Sequence, residues 1–512
     1  MTTRSLQGAP VLVVGAGIMG AGIAQVAAQA GHHVQLYDAR AGEAQLTVRK
    51  LGASLDALVA KGKLQSDDVQ ATLGRIEPLM ALEELHDIRL VVEAIVEDLA
   101  AKRALFQQLE SLVTADCVLA TNTSSISVTA IANGLEHPGR LVGMHFFNPV
   151  PQMKLVEVVS GLHTDSAVAS AIFDLSRAWG KTAVHARSTP GFIVNRIARP
   201  YYAETLALLL EQAATPQVLD ACLRAAGFRM GPCELMDLIG HDTNFAVTQS
   251  VYQANFFDKR YMPSLVQREM VDGGLFGRKS GRGFYRYPEG LLPLPVAVHE
   301  APVTAGEVTV HGVGVMADFL DLAATRALTA QGWGPARMHD SEWTGIEIDG
   351  ARLVLTDGRT AAQLASAVGS ADVAVFDRLL SVPTNPGTAL AFALPPAASA
   401  AWRTQAPAWL AALGFAPLRV ADSPGLVVAR TVAMLINEAA DAVQQGVCTP
   451  EGADAAMKLG VNYPAGPFEW LAAWSPVGVI GVLDALDGHY RGERYRASPW
   501  LRRRRDTLTA PG

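Results

Sequence analysis

With 512 residues, half of them hydrophobic, the chain is too long for a single core and predicts about three or four globular domains. A formal charge of −7 argues against a general nucleic-acid or membrane-surface binder, while leaving room for a local basic patch that meets an anionic ligand. Cys117, Cys222, Cys233 and Cys448 form no CxxC pair and the histidines lack zinc-finger spacing, so a reducing, cytoplasmic compartment and no metal are expected.

VLVVGAGIMGAGIAQVAAQA, at 11–30, has the hydropathy of a membrane span or a signal sequence. Glycines at 15, 17, 20 and 22 interrupt it and polar GHHVQLYD follows, so a strand, a glycine turn and a buried helix explain it better. From 10 to 188, β-rich runs at 11–14, 33–38, 88–92, 117–121, 141–146 and 154–159 alternate with helical stretches such as DLAAKRALFQQLESL. That order predicts a mostly parallel sheet with helices on both faces. From TPGFIVNR at 189 the periodicity is helical to about 288, where GRGFYRYPEG reads as a closing turn, and LLPLPVAVHEAP at 291–302 reads as a linker.

A repeat then appears. TPGFIVNR at 189–196 recurs as SPGLVVAR at 423–430, and the same offset pairs Glu204 with Glu438, Thr215-Pro216 with Thr449-Pro450 and Asp220 with Asp454. Between the copies, VTVHGVGVMADFLDLAATRAL at 308–328 echoes the N-terminal glycine segment, with Ala317 where the third glycine stood. The middle unit therefore reads as a shortened dinucleotide fold that no longer needs to bind a cofactor. Arg502 to Arg505, almost at the C-terminus, read as a solvated helix end or tail.

Gly15-x-Gly17-x-x-Gly20 follows a strand and opens a helix, the context in which glycines allow a tight turn and close approach of a pyrophosphate. Asp38 ends the next strand, where a carboxylate accepts both ribose hydroxyls and repels a 2′-phosphate, which favours NAD over NADP. The other strand ends offer Glu93, Glu97 and Lys102, then Asn122, Ser124 and Ser125, then His145 and Asn148. Ser124, read alone, serves equally well as a helix cap. Glu157, inside the apolar run LVEVV, needs a partner, because an unpaired buried carboxylate is costly. If its strand lies beside that of His145, it accepts the Nδ1 proton and leaves Nε2 to take a proton from a hydroxyl; a structural histidine satisfied by the same carboxylate is the alternative.

GAGIMGAGIA, VVEAIVED, TNTSSISVTAIA, GMHFFNPVPQMKLVEVV, TPGFIVNR, GPCELMDLIG and FGRKSGRGFY together resemble the L-3-hydroxyacyl-CoA dehydrogenases over about residues 10–288. The repeat-bearing second half resembles the longer bacterial members, described as 3-hydroxybutyryl-CoA or 3-hydroxyadipyl-CoA dehydrogenases, the latter in phenylacetate degradation. The resemblance implies an α/β plus all-α chain: an NAD-binding Rossmann domain at 1–188, a helical domain at 189–288, a reduced Rossmann-like domain at 303–404 and a second helical domain at 405–512.

The same resemblance makes His145 the acid/base and Glu157 its orienting partner, with Ser124 and Asn195 contacting the substrate's 3-oxygen and holding the thioester tail. It makes Gly15, Gly17, Ile18, Met19, Gly20, Asp38, Glu97, Lys102, Ser124, Asn148 and Lys279 contacts of NAD. Ser54 and Lys61, with Ser124 and Asn148, would reach coenzyme A, whose phosphates suit a basic side chain. Ala429 stands where the first copy has Asn195, so one active site per chain is expected. Short members form dimers through the helical domain, which implies that the second copy docks on the first as an intrachain pseudo-dimer, leaving further self-association open. The expected reaction is oxidation of a (3S)-3-hydroxyacyl-CoA to the 3-oxoacyl-CoA. A relative acting on a hydroxy acid without coenzyme A, and an NAD-binding structural or sensor protein, are the alternatives.

Overall fold

Val-Leu-Val-Val at Val11–Val14 is buried at every position, as a strand covered on both faces must be. The structure is a computed structural model and describes residues 5–290, 294, 303, 305–329, 332, 334–380 and 387–509. Apart from residue 294, the expected linker at 291–302 lies outside the described residues. The chain divides into two compact units, Met1–Ile197 with Ala442–Asn462, and Ala198–Asp441 with Tyr463–Gly512.

In the first unit, eight strands form one sheet: β1 (Val11–Val14), β2 (Val34–Tyr37), β3 (Ile76–Pro78), β4 (Leu90–Glu93), β5 (Val118–Thr121), β6 (Leu141–Phe146), β7 (Leu155–Ser160) and β8 (Thr182–Arg187). The order is β3-β2-β1-β4-β5-β6-β7-β8. Its pairs are parallel except β6 with β7. Because β1 lies between β2 and β4, the winding reverses there, and the C-terminal ends of β1 and β4 border the crevice in which such sheets bind ligands. The apolar segment after β1 forms the helix Ile18–Gln29, buried along most of its length. Among the described residues no single helix is long and apolar enough to cross a membrane. Helix Pro450–Val461, from the second copy of the repeat, belongs to this unit and lies against β7 and β8.

In the second unit, β9 (Val308–His311), β10 (Ala336–Met338), β11 (Gly345–Ile348), β12 (Ala351–Leu355), β13 (Val373–Phe376), β14 (Thr388–Ala393) and β15 (Phe415–Arg419) form a sheet in the order β10-β9-β11-β12-β13-β14-β15. Its shortening has a local cause. A parallel neighbour needs a crossover of a dozen residues or more, whereas β11 and β12 form an antiparallel hairpin closed by Asp349-Gly350. Both turn residues have positive φ, 47° and 84°, the geometry that Asp-Gly favours. β15 carries the sheet to Arg419, so the expected boundary at 404/405 falls inside the helix Ala400–Ala412 that packs on β15.

Helices from both copies of the repeat share this unit and exchange equivalent contacts. Glu204 is fully buried and accepts from Arg430 (2.7 Å), Arg494 (2.8 Å) and the Tyr495 hydroxyl (3.0 Å). Glu438, 234 positions after Glu204, accepts from Arg260 (3.3 Å) and the Tyr261 hydroxyl (2.6 Å). Arg494 and Tyr495 stand 234 positions after Arg260 and Tyr261. Each copy thus gives its carboxylate to the other copy's Arg-Tyr pair.

Candidate active site

The glycine turn is held from below. The Asp38 carboxylate, at the end of β2, accepts from the Ala16 amide at 2.8 Å, and the buried Thr47 hydroxyl donates to the Ala16 carbonyl at 2.8 Å. A Cβ on Gly15 (φ 104°) would come within 2.5 Å of the Ala94 carbonyl, and one on Gly20 would overlap the Gly15 carbonyl. Glycine at both positions is therefore a packing requirement. In front of Gly17 nothing lies within 4 Å, and Ile18 is exposed while Met19 is half-buried. The turn thus leaves an open cradle at a helix N-terminus, which fits the pyrophosphate of a dinucleotide. Asp38 also accepts from the Arg40 guanidinium at 3.0 and 3.1 Å. Burial pushes its carboxyl up, but Arg40 and the Ala16 amide hold it below the usual carboxylate range.

At the ends of β4 and β5 a second polar group forms. Glu97 accepts from the hydroxyl of Thr123 (2.7 Å), the amides of Ser124 (2.9 Å) and Ser125 (3.0 Å), and the hydroxyls of Ser124 (3.3 Å) and Ser125 (3.0 Å). Its burial is outweighed by Thr123 and the charge of Lys102, which keep the carboxyl below its ordinary value. Lys102, also expected to touch the cofactor, is buried against this group; its ammonium lies 2.5 Å from Glu93 and 3.4 Å from Glu97. Glu93 is fully buried and also accepts from the Thr121 hydroxyl at 2.6 Å. Asn195 reaches back to the Ser124 carbonyl at 3.5 Å.

Antiparallel pairing of β6 and β7 sets His145 directly opposite Glu157. Nδ1 and the carboxylate are 2.6 Å apart, with Glu157 fully buried and His145 5 % exposed. The other carboxylate oxygen accepts from the amides of Ile193 (3.1 Å) and Val194 (2.9 Å). One carboxylate therefore ties the imidazole to the N-terminus of the helix Val194–Ile197, which carries Asn195. The rings of Phe147 and Phe192 flank the imidazole, with centroids at 4.6 and 5.8 Å.

The remaining expected positions lie on other elements. Asn122 accepts from the Phe146 amide at 2.8 Å and so joins β5 to β6, while Asn148 is exposed beyond β6. Ser54 and Lys61 are exposed seven residues apart at one helix, on a common face. Lys279 belongs to the second unit, where it pairs with Asp242 at 2.6 Å.

The second sheet contains a residue that sequence reading did not single out. Asp377, fully buried just after β13, accepts from the amides of Val427 (2.9 Å), Val428 (2.7 Å) and Ala429 (3.0 Å), as Glu157 does from Ile193 and Val194. Its own amide faces Ala391 on the neighbouring antiparallel strand, the position equivalent to Glu157. A single carboxylate thus caps the second repeat where the first has a histidine and a glutamate, and burial pushes it up to about 6 against those amides. Phe192 and its counterpart Leu426 share a positive φ, 47° and 49°. Since the second copy lacks the histidine, this backbone conformation belongs to the strand-to-helix turn and not to proton transfer.

Sequence profiles of 3-hydroxyacyl-CoA dehydrogenases match most of the chain: the NAD binding domain at 10–189, and the C-terminal domain twice, at 191–287 and 425–509. The reduced Rossmann-fold domain of 3-hydroxybutyryl-CoA dehydrogenase matches 353–424. The 3-hydroxyadipyl-CoA dehydrogenase of Escherichia coli K12 is 43 % identical over 495 residues, 96 % of this chain and 97 % of that protein. The chain belongs to the 3-hydroxyacyl-CoA dehydrogenase family. These enzymes are NAD-dependent oxidoreductases, and NAD is the cofactor here. A crystal structure of 3-hydroxybutyryl-CoA dehydrogenase from E. coli K12 superposes with a TM-score of 0.86, 41 % identity and 98 % coverage of both chains. A probable 3-hydroxybutyryl-CoA dehydrogenase of Bacillus subtilis is 40 % identical over 54 % of this chain and 97 % of its own length.

Proposed function

We propose that this protein oxidises (3S)-3-hydroxyacyl-CoA to 3-oxoacyl-CoA with His145 as the base. The observation that carries the reading is the 2.6 Å contact of His145 Nδ1 with a Glu157 carboxylate that is itself moored to two backbone amides. With its proton on Nδ1, the imidazole presents the Nε2 lone pair to the 3-hydroxyl and takes its proton. Glu157 then balances the imidazolium charge without moving. NAD, when bound, supplies the acceptor for the hydride that leaves C3. Ser124 and Asn195 hold the 3-oxygen, Glu97 fixes the Ser124 loop, and Lys102 holds Glu97 in place from below. Gly15, Gly17, Ile18, Met19, Gly20 and Asp38 hold the dinucleotide, with Glu97, Lys102, Ser124 and Asn148 as further contacts, and Ser54 with Lys61 meets the phosphates of coenzyme A.

NADH absorbance is expected to fall on addition of acetoacetyl-CoA; no consumption with any 3-oxoacyl-CoA would leave the non-CoA or sensor readings. The relatives' names put 3-hydroxybutyryl-CoA and 3-hydroxyadipyl-CoA first as substrates, and steady-state kinetics on the two ranks them. Cytoplasmic operation is part of the reading and is supported by four cysteines that are all free thiols.

Asp38 is proposed to set the cofactor preference. Asp38→Ala should weaken NADH binding about 10- to 100-fold, the worth of hydrogen bonds to a charged group. It should also free Arg40 to meet a 2′-phosphate, so the gap to NADPH narrows. Equal losses for both cofactors in a titration would move that role to another residue.

We further propose that the two helical copies act as an intrachain pseudo-dimer. The reciprocal use of Glu204 and Glu438 by the two Arg-Tyr pairs supports it, because equivalent residues meeting in both directions are the signature of an isologous contact.

A further inference from the structure

Residues 442–462, from the repeat copy that has alanine in place of Asn195, fold into the unit that contains His145 and Glu157. Arg196 donates to Gln445 at 2.8 Å and the Arg187 amide to the Val447 carbonyl at 2.8 Å, fixing the start of the segment beside β8 and the helix Val194–Ile197. Its helix, Pro450–Val461, then lies against β7 and that same short helix. At the contact stands Gly460, buried and without a side chain to spare: a Cβ there would come within 2.8 Å of Leu155 Cδ2 and 3.0 Å of Val194 Cγ2.

Those two neighbours bracket the catalytic carboxylate. Leu155 precedes Glu157 by two residues on β7 and therefore points to the same face of the sheet. Val194 gives Glu157 its 2.9 Å amide hydrogen bond. Pressure at Gly460 is thus transmitted to the strand that carries Glu157 and to the helix end that holds it, and from Glu157 to His145 Nδ1.

We propose that the helix Pro450–Val461 is a positioning element of the active site, with Gly460 as the point through which it sets Glu157 against His145. The inference rests on His145 acting as the base. In the full-length protein, Gly460→Ala should lower kcat about 3- to 30-fold, less than the roughly 10²-fold that a 1 Å misplacement costs. NADH affinity should change less than about twofold, because the new Cβ meets Leu155 and Val194 and no residue assigned to the dinucleotide. In the cofactor-free protein, the low-field Nδ1–H proton resonance of the short His145 to Glu157 hydrogen bond should shift or broaden. Combining Gly460→Ala with Val194→Ala, which removes both Val194 methyl groups and leaves as the remaining close contact only Leu155 Cδ2, the far end of a flexible side chain, should restore both kcat and the resonance relative to Val194→Ala alone; this variant also keeps the test valid if the single one folds poorly.

His145→Ala, measured alongside, separates the two ideas. Its full activity would defeat the base, whereas the resonance still reports the positioning. An inactive His145→Ala together with a Gly460→Ala protein of wild-type kcat and unchanged resonance would overturn the proposal. So would a loss of kcat with an unchanged resonance, or no rescue by Val194→Ala.

Discussion

His145→Ala is expected to lower kcat by a factor on the order of 10² to 10⁴, the usual worth of a positioned general base, while NADH binds as before. The substitution leaves Glu157 with its amide donors at Ile193 and Val194, so β7 keeps its anchor, and the melting temperature measured alongside separates the cost of the unpaired carboxylate from the loss of chemistry. The cradle at Gly17 and the Asp38 carboxylate lie beyond the ends of β1 and β2, away from β6 and β7, which is why cofactor affinity is the control. Turnover at the wild-type rate would rule out the assigned base. Glu157→Gln is the companion measurement: it keeps the shape of a fully buried side chain but removes the charge that balances an imidazolium. If its loss of rate follows the melting temperature instead, Glu157 serves the fold alone.

A fragment of residues 1–288 is expected to form dimers, or to aggregate, and not to persist as a monomer. Truncation removes Arg430, Arg494 and Tyr495 from Glu204, and Glu438 and Asp441 from Arg260. Leaving one member of a buried pair behind costs about 3–5 kcal/mol, a large part of a domain's stability. The fragment nevertheless contains its own remedy, because Arg260 and Tyr261 are the counterparts of the Arg494 and Tyr495 that Glu204 has lost. Two fragments can therefore exchange them. Burial pushes the Glu204 carboxyl up, but Arg494 and Arg430 overcome this and hold it below 4.5. A depressed carboxyl stabilises fully above that ordinary value and loses its contribution as pH falls through the folded one, so acid should weaken the contact. Light scattering at rising concentration decides the matter. A well-behaved monomer would refute the isologous contact, and Glu204→Ala should abolish any specific dimer.

What the sequence shows of this molecule is what is local. Strands β1, β2 and β4 to β7 fall within two residues of the β-rich runs, because central strands covered on both faces are continuously apolar. The pairing of His145 with Glu157 was legible because a carboxylate among valines demands a partner. Strands β3 and β8 were not read, being respectively three residues long and at the sheet edge with several exposed positions. Asp349-Gly350 is a strong hairpin signal, but that its hairpin shortens the middle sheet shows only in the strand pairing. The burial of Lys102 leaves no mark in the sequence, because nothing near it announces that Glu93, nine positions earlier, folds over its ammonium. Asp377 is invisible without the strand register, since its role is defined by helix amides some 50 positions later.

Carrying both partners of the Glu204 and Glu438 exchange in one polypeptide changes how the contact behaves and how it varies. Two separate subunits would part on dilution, whereas tethered partners meet at an effective concentration fixed by the chain, so the contact should be indifferent to how much protein is present. A symmetric assembly of identical chains also writes every substitution into both sides at once. Here the sides are free to drift apart, and they have: Arg430 meets the carboxylate of Glu211, while Arg196, its equivalent, meets the neutral amide of Gln445.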